Sequence, residues 1–141
     1  MARWSKTIAA AAILVVVLAV LMGCSSRSVT LDGTKWRLAE WTVSSLNASD
    51  LTITAEFANG QISGNGGVNS YSGPYKAGPG TAFSAGPLAG TLLAGPEPAT
   101  RAESLYQTLL GQAKSYKMAD GKLTLYDQGG NESLIYEQAT R

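Results

Sequence analysis

The stretch Gly60-Gln61-Ile62-Ser63-Gly64-Asn65-Gly66-Gly67-Val68-Asn69-Ser70-Tyr71-Ser72-Gly73-Pro74-Tyr75 decides the fold. Two short strand-like runs flank a turn that is too rich in glycine for a helix. Glycine adopts positive φ and lets backbones approach closely, so Asn65-Gly66-Gly67 predicts a tight or bulged connection. Asn69, Tyr71 and Tyr75 then recur at alternating positions, and Gly73-Pro74 predicts a second break.

Short strands are also expected before this stretch. In Leu31 to Leu38, Trp36 and Leu38 alternate with basic residues, as in a half-buried strand. Ser44 to Asp50 reads as a polar loop. From Leu51 to Phe57 the odd-numbered residues are apolar and the even-numbered ones are polar. These patterns predict two strands, each with one face in the core.

After the stretch we expect one more strand, then a helix, and then three strands at the C-terminal end of the chain. Glycine–proline pairs bracket a short strand at Thr81 to Ser84. A helix is predicted to start within Pro96 to Pro98, because proline is tolerated in a first turn. One face of this helix is an apolar stripe, and such a stripe more often packs against the core than against a partner protein. The stripe consists of Ala102, Leu105, Tyr106, Leu109, Leu110 and Ala113.

Asp120-Gly121 is a hairpin signal between two of the final strands, and Gln128-Gly129-Gly130-Asn131 marks the last turn. The apolar alternation of these strands is carried by Tyr116 and Met118, Leu123 and Leu125, and Leu134 and Tyr136. The predicted fold class is therefore α+β and mostly antiparallel β: a curved sheet or partly open barrel with one packed helix.

Residues 1–23 resemble a lipoprotein signal peptide. Arg3 and Lys6 precede 15 consecutive apolar residues from Ile8 to Met22, fewer than the roughly 20 that a membrane-spanning helix needs. The alternative is an uncleaved membrane anchor. Leu21-Met22-Gly23-Cys24 resembles a bacterial lipobox, with Met at a position more often occupied by Ala, Ser or Thr. Cys24 is thus the predicted lipid attachment site, and two or more acyl chains give stable anchoring.

Cleavage before Cys24 predicts a tether over residues 24–30 and a folded domain over 31–138. The mature chain then has 9 basic and 10 acidic residues. Without a basic patch we expect no nucleic-acid partner. Position 25, directly after the predicted lipid attachment site, is Ser and not the aspartate that signals inner-membrane retention in some Gram-negative bacteria. The expected location is the outer membrane in such a cell, and otherwise the outer face of the cytoplasmic membrane.

The domain resembles the META (HslJ-like) family, a small β-rich module of bacterial envelope lipoproteins. The matching stretches are the opening Leu31-Asp32-Gly33-Thr34-Lys35-Trp36-Arg37-Leu38, the central glycine-rich stretch, and the run from Ser115 to Gly130. The resemblance implies structural roles for its motif residues, which are Trp36, Gly64, Asn69, Tyr71, Gly73, Tyr75, Thr91 and Glu103. It also implies a part in envelope stress or antibiotic tolerance.

The chain departs from this family at two positions. META domains commonly carry one Cys in the central motif and a second in a downstream segment, which the resemblance implies are a disulfide pair. The matching residues here are Val68 and Gly95. This chain is therefore expected to hold its fold by packing alone.

The residue inventory argues against an enzyme. The sequence contains no His, and its one Cys is predicted to carry lipid. Gly64-x-Gly66 resembles a phosphate loop, but no Lys-Ser or Lys-Thr follows it. A Ser–Lys pair stays open. Carboxylates are spread singly, at Glu40, Glu56, Glu97, Glu103 and Asp127. We expect no cofactor and no metal.

Three functional hypotheses follow, of which the third, a hydrolase, is kept only as a foil to the first two. The first is a lipid-anchored, non-enzymatic envelope protein that acts on an unknown envelope partner through protein contacts. The second is a carrier that shelters an apolar ligand or lipid chain between sheet and helix. The aromatic residues could line such a cavity or fill the core, and core filling is the commoner outcome. They are Trp36, Trp41, Tyr71, Tyr75, Tyr116, Tyr126 and Tyr136.

Overall fold

A computed structural model describes residues 30–78 and 80–140. The predicted signal peptide, Cys24 and nearly all of the predicted tether lie outside these residues. Within residues 30–78 and 80–140, no helix has the length and apolar character needed to cross a membrane. The described chain forms nine strands and one α-helix: β1 Thr34–Trp41, β2 Thr54–Ala58, β3 Gln61–Asn65, β4 Ser70–Ala77, β5 Phe83–Ala85, β6 Ala89–Gly90, α1 Glu97–Gln112, β7 Ser115–Ala119, β8 Lys122–Tyr126 and β9 Glu132–Gln138.

The strands form one antiparallel sheet in the order β5-β4-β3-β2-β1-β9-β8-β7, and β6 also pairs with β4. The two end strands meet: Phe83 N donates to Lys114 O at 2.9 Å, and Tyr116 N donates to Thr81 O at 2.8 Å. The sheet therefore curls into a nearly closed barrel with one seam, between β5 and β7. The predicted fold class is confirmed.

The core lies inside the barrel, against the inner face of α1. Ile53, Ala55 and Phe57 are buried, as the alternation predicts. The predicted helix is confirmed, and Tyr106 and Leu110 on its stripe are fully buried. The Asp120-Gly121 hairpin is also confirmed, since φ is +54° and +73° at its two turn residues.

Several strand limits differ from those predicted. β1 begins at Thr34 because Gly33 adopts a φ of +82°, although Leu31 is already buried. β2 begins at Thr54 rather than Leu51. The predicted Thr81 to Ser84 strand is found at Phe83–Ala85. The two-residue β6 was not predicted, because Ala-Gly carries no alternation.

The predicted break at Gly73-Pro74 is wrong, since β4 runs through it. Gly73 permits a close approach: a Cβ there would lie 2.6 Å from Pro87 O. Pro74 falls between the part of β4 that pairs with β6 and the part that pairs with β5. Pro74 O accepts from Gly86 N at 2.8 Å, so the missing N–H lies on the β5 side, one residue beyond the end of β5. The proline is tolerated there because the paired strand has already ended.

Candidate functional site

Asn69, at the entrance to β4, joins three segments of the domain. Its backbone N donates to Glu103 Oε1 of α1 at 3.0 Å, and its Nδ2 donates to Glu103 Oε2 at 3.0 Å. Its Oδ1 accepts from Leu93 N at 2.7 Å and from Thr91 Oγ1 at 2.8 Å, and Nδ2 also donates to Leu93 O at 3.3 Å. Both donors and both acceptor positions of the amide are used. We call these residues the Asn69 network.

Glu103 is the buried carboxylate of this network, with 5 % of its surface exposed. Burying a carboxylate costs free energy unless hydrogen bonds replace its hydration, and the two N–H donors of Asn69 provide them. The carboxylate also rests on Gly66, where a Cβ would come within 2.9 Å of Oε1. The glycine-rich turn thus makes room for a side chain of the helix.

Three buried tyrosines form a second polar group beneath the network. Tyr136 OH donates to Tyr106 OH at 3.1 Å, Tyr106 OH lies 2.7 Å from Tyr71 OH, and Tyr71 OH donates to Thr54 O at 2.8 Å. Burial, with the neighbouring tyrosines, raises the pKa of all three hydroxyls well above the usual value. The chain of hydroxyls therefore stays protonated and neutral at physiological pH.

The sequence-predicted motif residues divide into two sets. The structure brings Asn69, Thr91 and Glu103 together in the Asn69 network, with Tyr71 close by on β4. The others occupy separate places in the barrel. Trp36 is buried and donates to Thr34 Oγ1 at 2.7 Å, and Tyr75 OH donates to Asp32 Oδ1 at 3.2 Å. Burial and Asp32 raise the pKa of Tyr75 to about 12.

The remaining motif glycines, Gly64 and Gly73, allow close contacts. A Cβ at Gly64 would lie 2.1 Å from Thr54 O of the neighbouring strand, which leaves no room for a side chain. The two positions that match the family's cysteines are also in contact, because a Cβ at Gly95 would lie 3.3 Å from Val68 Cβ. Disulfide-bonded residues have a Cβ separation of about 3.5–4.5 Å. Valine methyls occupy this space here.

A family model described as the META domain matches residues 29–140. The chain belongs to the META domain family. No curated protein matches it. An NMR structure of a protein from Burkholderia xenovorans is 27% identical, with a TM-score of 0.65, and the match covers 79% of this chain and 85% of that one. A crystal structure of a DUF4847 family protein from Bacteroides vulgatus is 12% identical, with a TM-score of 0.58 and coverage of 79% and 96%. That likeness shows the fold alone.

The META domain presents an exposed apolar loop that sequence reasoning missed. Residues 91–94, which follow β6, form this loop, and we call it the leucine loop. Leu92 is 98% exposed and Leu93 66% exposed. The backbone of Leu93 is nevertheless fixed by Asn69. A sequence signal was present, since residues 77–96 contain no charged side chain.

Two shallow pockets flank the outer face of α1. One, of about 370 Å³, lies between the leucine loop and the first half of the helix. The other, of about 390 Å³, lies between residues 86–88 and the second half. Ser104 and Gln107 line both, so the two pockets adjoin. We call the pair the helix groove. Within residues 30–78 and 80–140 no group of three or more metal-ligating side chains is found.

Proposed function

We propose that this chain is a lipid-anchored, non-enzymatic protein of the cell envelope whose META domain acts through protein contacts at the leucine loop. Lipid on Cys24 holds the domain at the outer membrane of a Gram-negative cell, or at the outer face of the cytoplasmic membrane otherwise. The contacts support tolerance of envelope stress or antibiotics. The observation that carries the proposal is an exposed leucine pair on a backbone that the Asn69 network holds in place.

The energetics of the leucine loop favour a contact surface. Leu92 in water forgoes roughly 1.5–3 kcal/mol that burial of its side chain would supply. Ordering a loop on binding normally opposes association, but three hydrogen bonds to Asn69 already order this one. A partner that covers Leu92 and Leu93 gains the burial without that ordering cost.

The position of the leucine loop suits a partner away from the anchoring membrane. The chain enters the domain beside the β2–β3 turn, where Gly60 N and Tyr75 OH donate to Asp32 Oδ1. The loop is held at Asn69, at the other end of β4. Tyr75 lies six positions after Asn69, which corresponds to roughly 20 Å along a strand. The described chain thus begins near one end of the β3–β4 hairpin, and the leucine loop is held at the other end.

Photo-crosslinking in intact cells tests the contact. A photoreactive amino acid replaces Leu92 in the full chain, and the matched control carries it at Val43, which is 56% exposed and lies outside the helix groove. We expect a discrete protein adduct from position 92 and none from position 43. Equal patterns from the two positions, or no adduct from position 92, would overturn the contact proposal.

The anchor has its own test. Cys24→Ser should leave the precursor uncleaved and without an acyl mass, whereas Ser28→Ala should be processed normally. Intact mass and detergent partitioning of both variants measure this. A Cys24→Ser protein that keeps the wild-type mature N-terminus and partitions into detergent would refute lipid attachment at this residue.

The carrier hypothesis has less support, because side chains fill the space between sheet and helix. Tyr106, Tyr136 and Leu110 are fully buried there, and Tyr71 is 3% exposed. Native mass spectrometry of the full lipidated chain, released from detergent, separates the two hypotheses. We expect the mass of the covalently lipidated chain alone. An additional lipid that leaves only on collisional activation would favour the carrier.

A further inference from the structure

We infer that the helix groove binds an extended, uncharged peptide segment of a partner protein, which adds as a strand to the free edge of β6. This inference rests on the proposed function and names the chemistry of the partner. The groove has the leucine loop, Gly86 and Leu88 on one side and the outer face of α1 on the other. Ala89 and Gly90 of β6 are exposed and lie in the chain between these lining residues.

The edge of β6 is the first reason. Within the described part of the chain, β6 pairs with β4 and with no other strand. Tyr71 lies opposite Gly90, Ser72 lies opposite Ala89, and Thr91 N donates to Ser70 O at 3.1 Å. In an antiparallel ladder this register directs the N–H and C=O of Gly90 away from β4. These two groups can therefore pair with an added strand.

The absence of charge on the groove walls is the second reason. The 86–94 wall carries no charged side chain, and the facing residues of α1 are Thr100, Ser104, Gln107, Thr108 and Gly111. Glu103 also borders the groove, but its carboxylate is buried and bonded to Asn69. An uncharged segment loses no hydration of charged groups on entering such a site, whereas a charged one does.

The polar groups of α1 favour a peptide over an acyl chain. The hydroxyls of Ser104 and Thr108 donate to helix carbonyls, which leaves their oxygens as acceptors. The amide of Gln107 can both donate and accept. A peptide backbone can satisfy these groups, whereas an acyl chain would cover them without hydrogen bonds.

The length of the groove sets the size of the segment. From Thr100 to Gly111 the helix rises roughly 16 Å, at about 1.5 Å per residue. An extended strand covers that distance with about five residues, at roughly 3.3 Å each. The side chains that point from such a strand towards the leucine loop should be apolar, because they meet Leu88, Leu92 and Leu93.

The experiment uses the full lipidated chain in detergent micelles and three blocked hexapeptides. The first has the sequence serine-valine-threonine-valine-threonine-serine. The second has the same side chains but is N-methylated at alternate residues, which removes strand donors. The third replaces the two valines by glutamate and lysine. Backbone amide shifts measured by NMR report where each peptide binds and how tightly.

We expect the first peptide to shift the amides of Ala89, Gly90 and Gln107. We expect both other peptides to bind at least about tenfold more weakly. Leu92→Ser should weaken binding of the first peptide, and Val43→Ser should not. Binding that is unaffected by N-methylation would overturn strand addition. No binding at millimolar peptide would overturn the inference as a whole.

Two further results would assign the groove to another occupant. Shifts at β6 that depend on protein concentration without peptide would assign it to a second copy of the chain. Shifts there on adding a short-chain fatty acid, at equal strength, would assign it to an acyl chain. Either result overturns the peptide inference and leaves the crosslinking test at position 92 as the separate judge of the proposed function.

Discussion

Asn69 has a side chain whose four hydrogen-bonding positions are all used, and it ties together the glycine turn, the leucine loop and α1. The sequence showed Asn69 in alternation with Tyr71, and the structure buries both side chains. Its partner Glu103 was named as a motif residue by resemblance, but the helical pattern could not predict its burial. The helical pattern is based on apolar residues only. Burial of a carboxylate can be predicted only when the positions of its hydrogen-bond donors are known.

Replacing Asn69 by alanine should therefore be costly. Asn69→Ala removes one of the two donors of Glu103 and leaves Thr91 Oγ1 and the backbone of Leu93 without their partner. We expect the free energy of unfolding to fall by about 2–4 kcal/mol, measured by urea denaturation. Asn131→Ala, at an exposed site, should change it by less than about 1 kcal/mol. Equal losses from the two variants would contradict the role given to the network.

Alkaline pH should unfold the domain through its buried tyrosines. The folded-state pKa is raised for Tyr71, Tyr106 and Tyr136, and to about 12 for Tyr75. A raised pKa stabilises the fold fully below the unfolded value of about 10, and that stability is lost as the pH rises towards the folded value. Unfolding free energy should thus fall above about pH 10. The measurement is tyrosinate absorbance together with near-ultraviolet circular dichroism over an alkaline titration. If these tyrosines ionise while the dichroism is unchanged, the prediction that their ionisation unfolds the domain is contradicted.

Strands and turns were predictable where the sequence pattern repeats. They were missed where only pairing with a neighbouring strand defines them. The alternation before Phe57 and the Asp120-Gly121 hairpin gave the right elements. β6 contains two residues without alternation and exists because β4 pairs with it. Pro74 was misread because a proline normally interrupts a strand, and its tolerance depends on which neighbour lies beside it.

Two glycine-to-alanine substitutions, one in β3 and one in α1, test the close packing of β2 and β3. Gly64→Ala should destabilise the domain by more than about 3 kcal/mol, because its Cβ would overlap Thr54 O at 2.1 Å and two strands would have to separate. Gly111→Ala, in α1 with open space around it, should stabilise by about 0.5–1 kcal/mol. Thermal denaturation of both variants measures the contrast. A Gly64→Ala domain as stable as the wild type would refute the β2–β3 approach.

Restoring two cysteines tests the contact between the glycine turn and the segment before α1. Gly95→Cys alone should destabilise, because its Cβ would lie 2.6 Å from a Val68 methyl group. Val68→Cys with Gly95→Cys removes those methyls and should form a disulfide on oxidation. The closed loop of about 28 residues corresponds to a gain of about 3–4 kcal/mol over the reduced form. Thiols that stay free under oxidising conditions would contradict the contact.

Across the domain, the sequence pattern predicted the β-rich barrel with one helix, but it did not predict the surface. Core positions recur with a fixed period, so they can be read from a sequence. Exposure of Leu92 depends on how β6, the Asn69 network and α1 meet, and no local period encodes that. The absence of charge over residues 77–96 was the available hint, and it does not distinguish a buried segment from an exposed one.

The central claim is that the Asn69 network holds the leucine loop ready for a protein partner. The most direct measurement is the crosslinking yield from position 92 in cells, with and without Asn69→Ala, at a temperature where both proteins are folded. We predict a discrete adduct with the intact network and a several-fold lower yield with Asn69→Ala, while position 43 gives none in either background. An adduct from position 92 whose yield is unchanged by Asn69→Ala, or that appears equally from position 43, would contradict the claim.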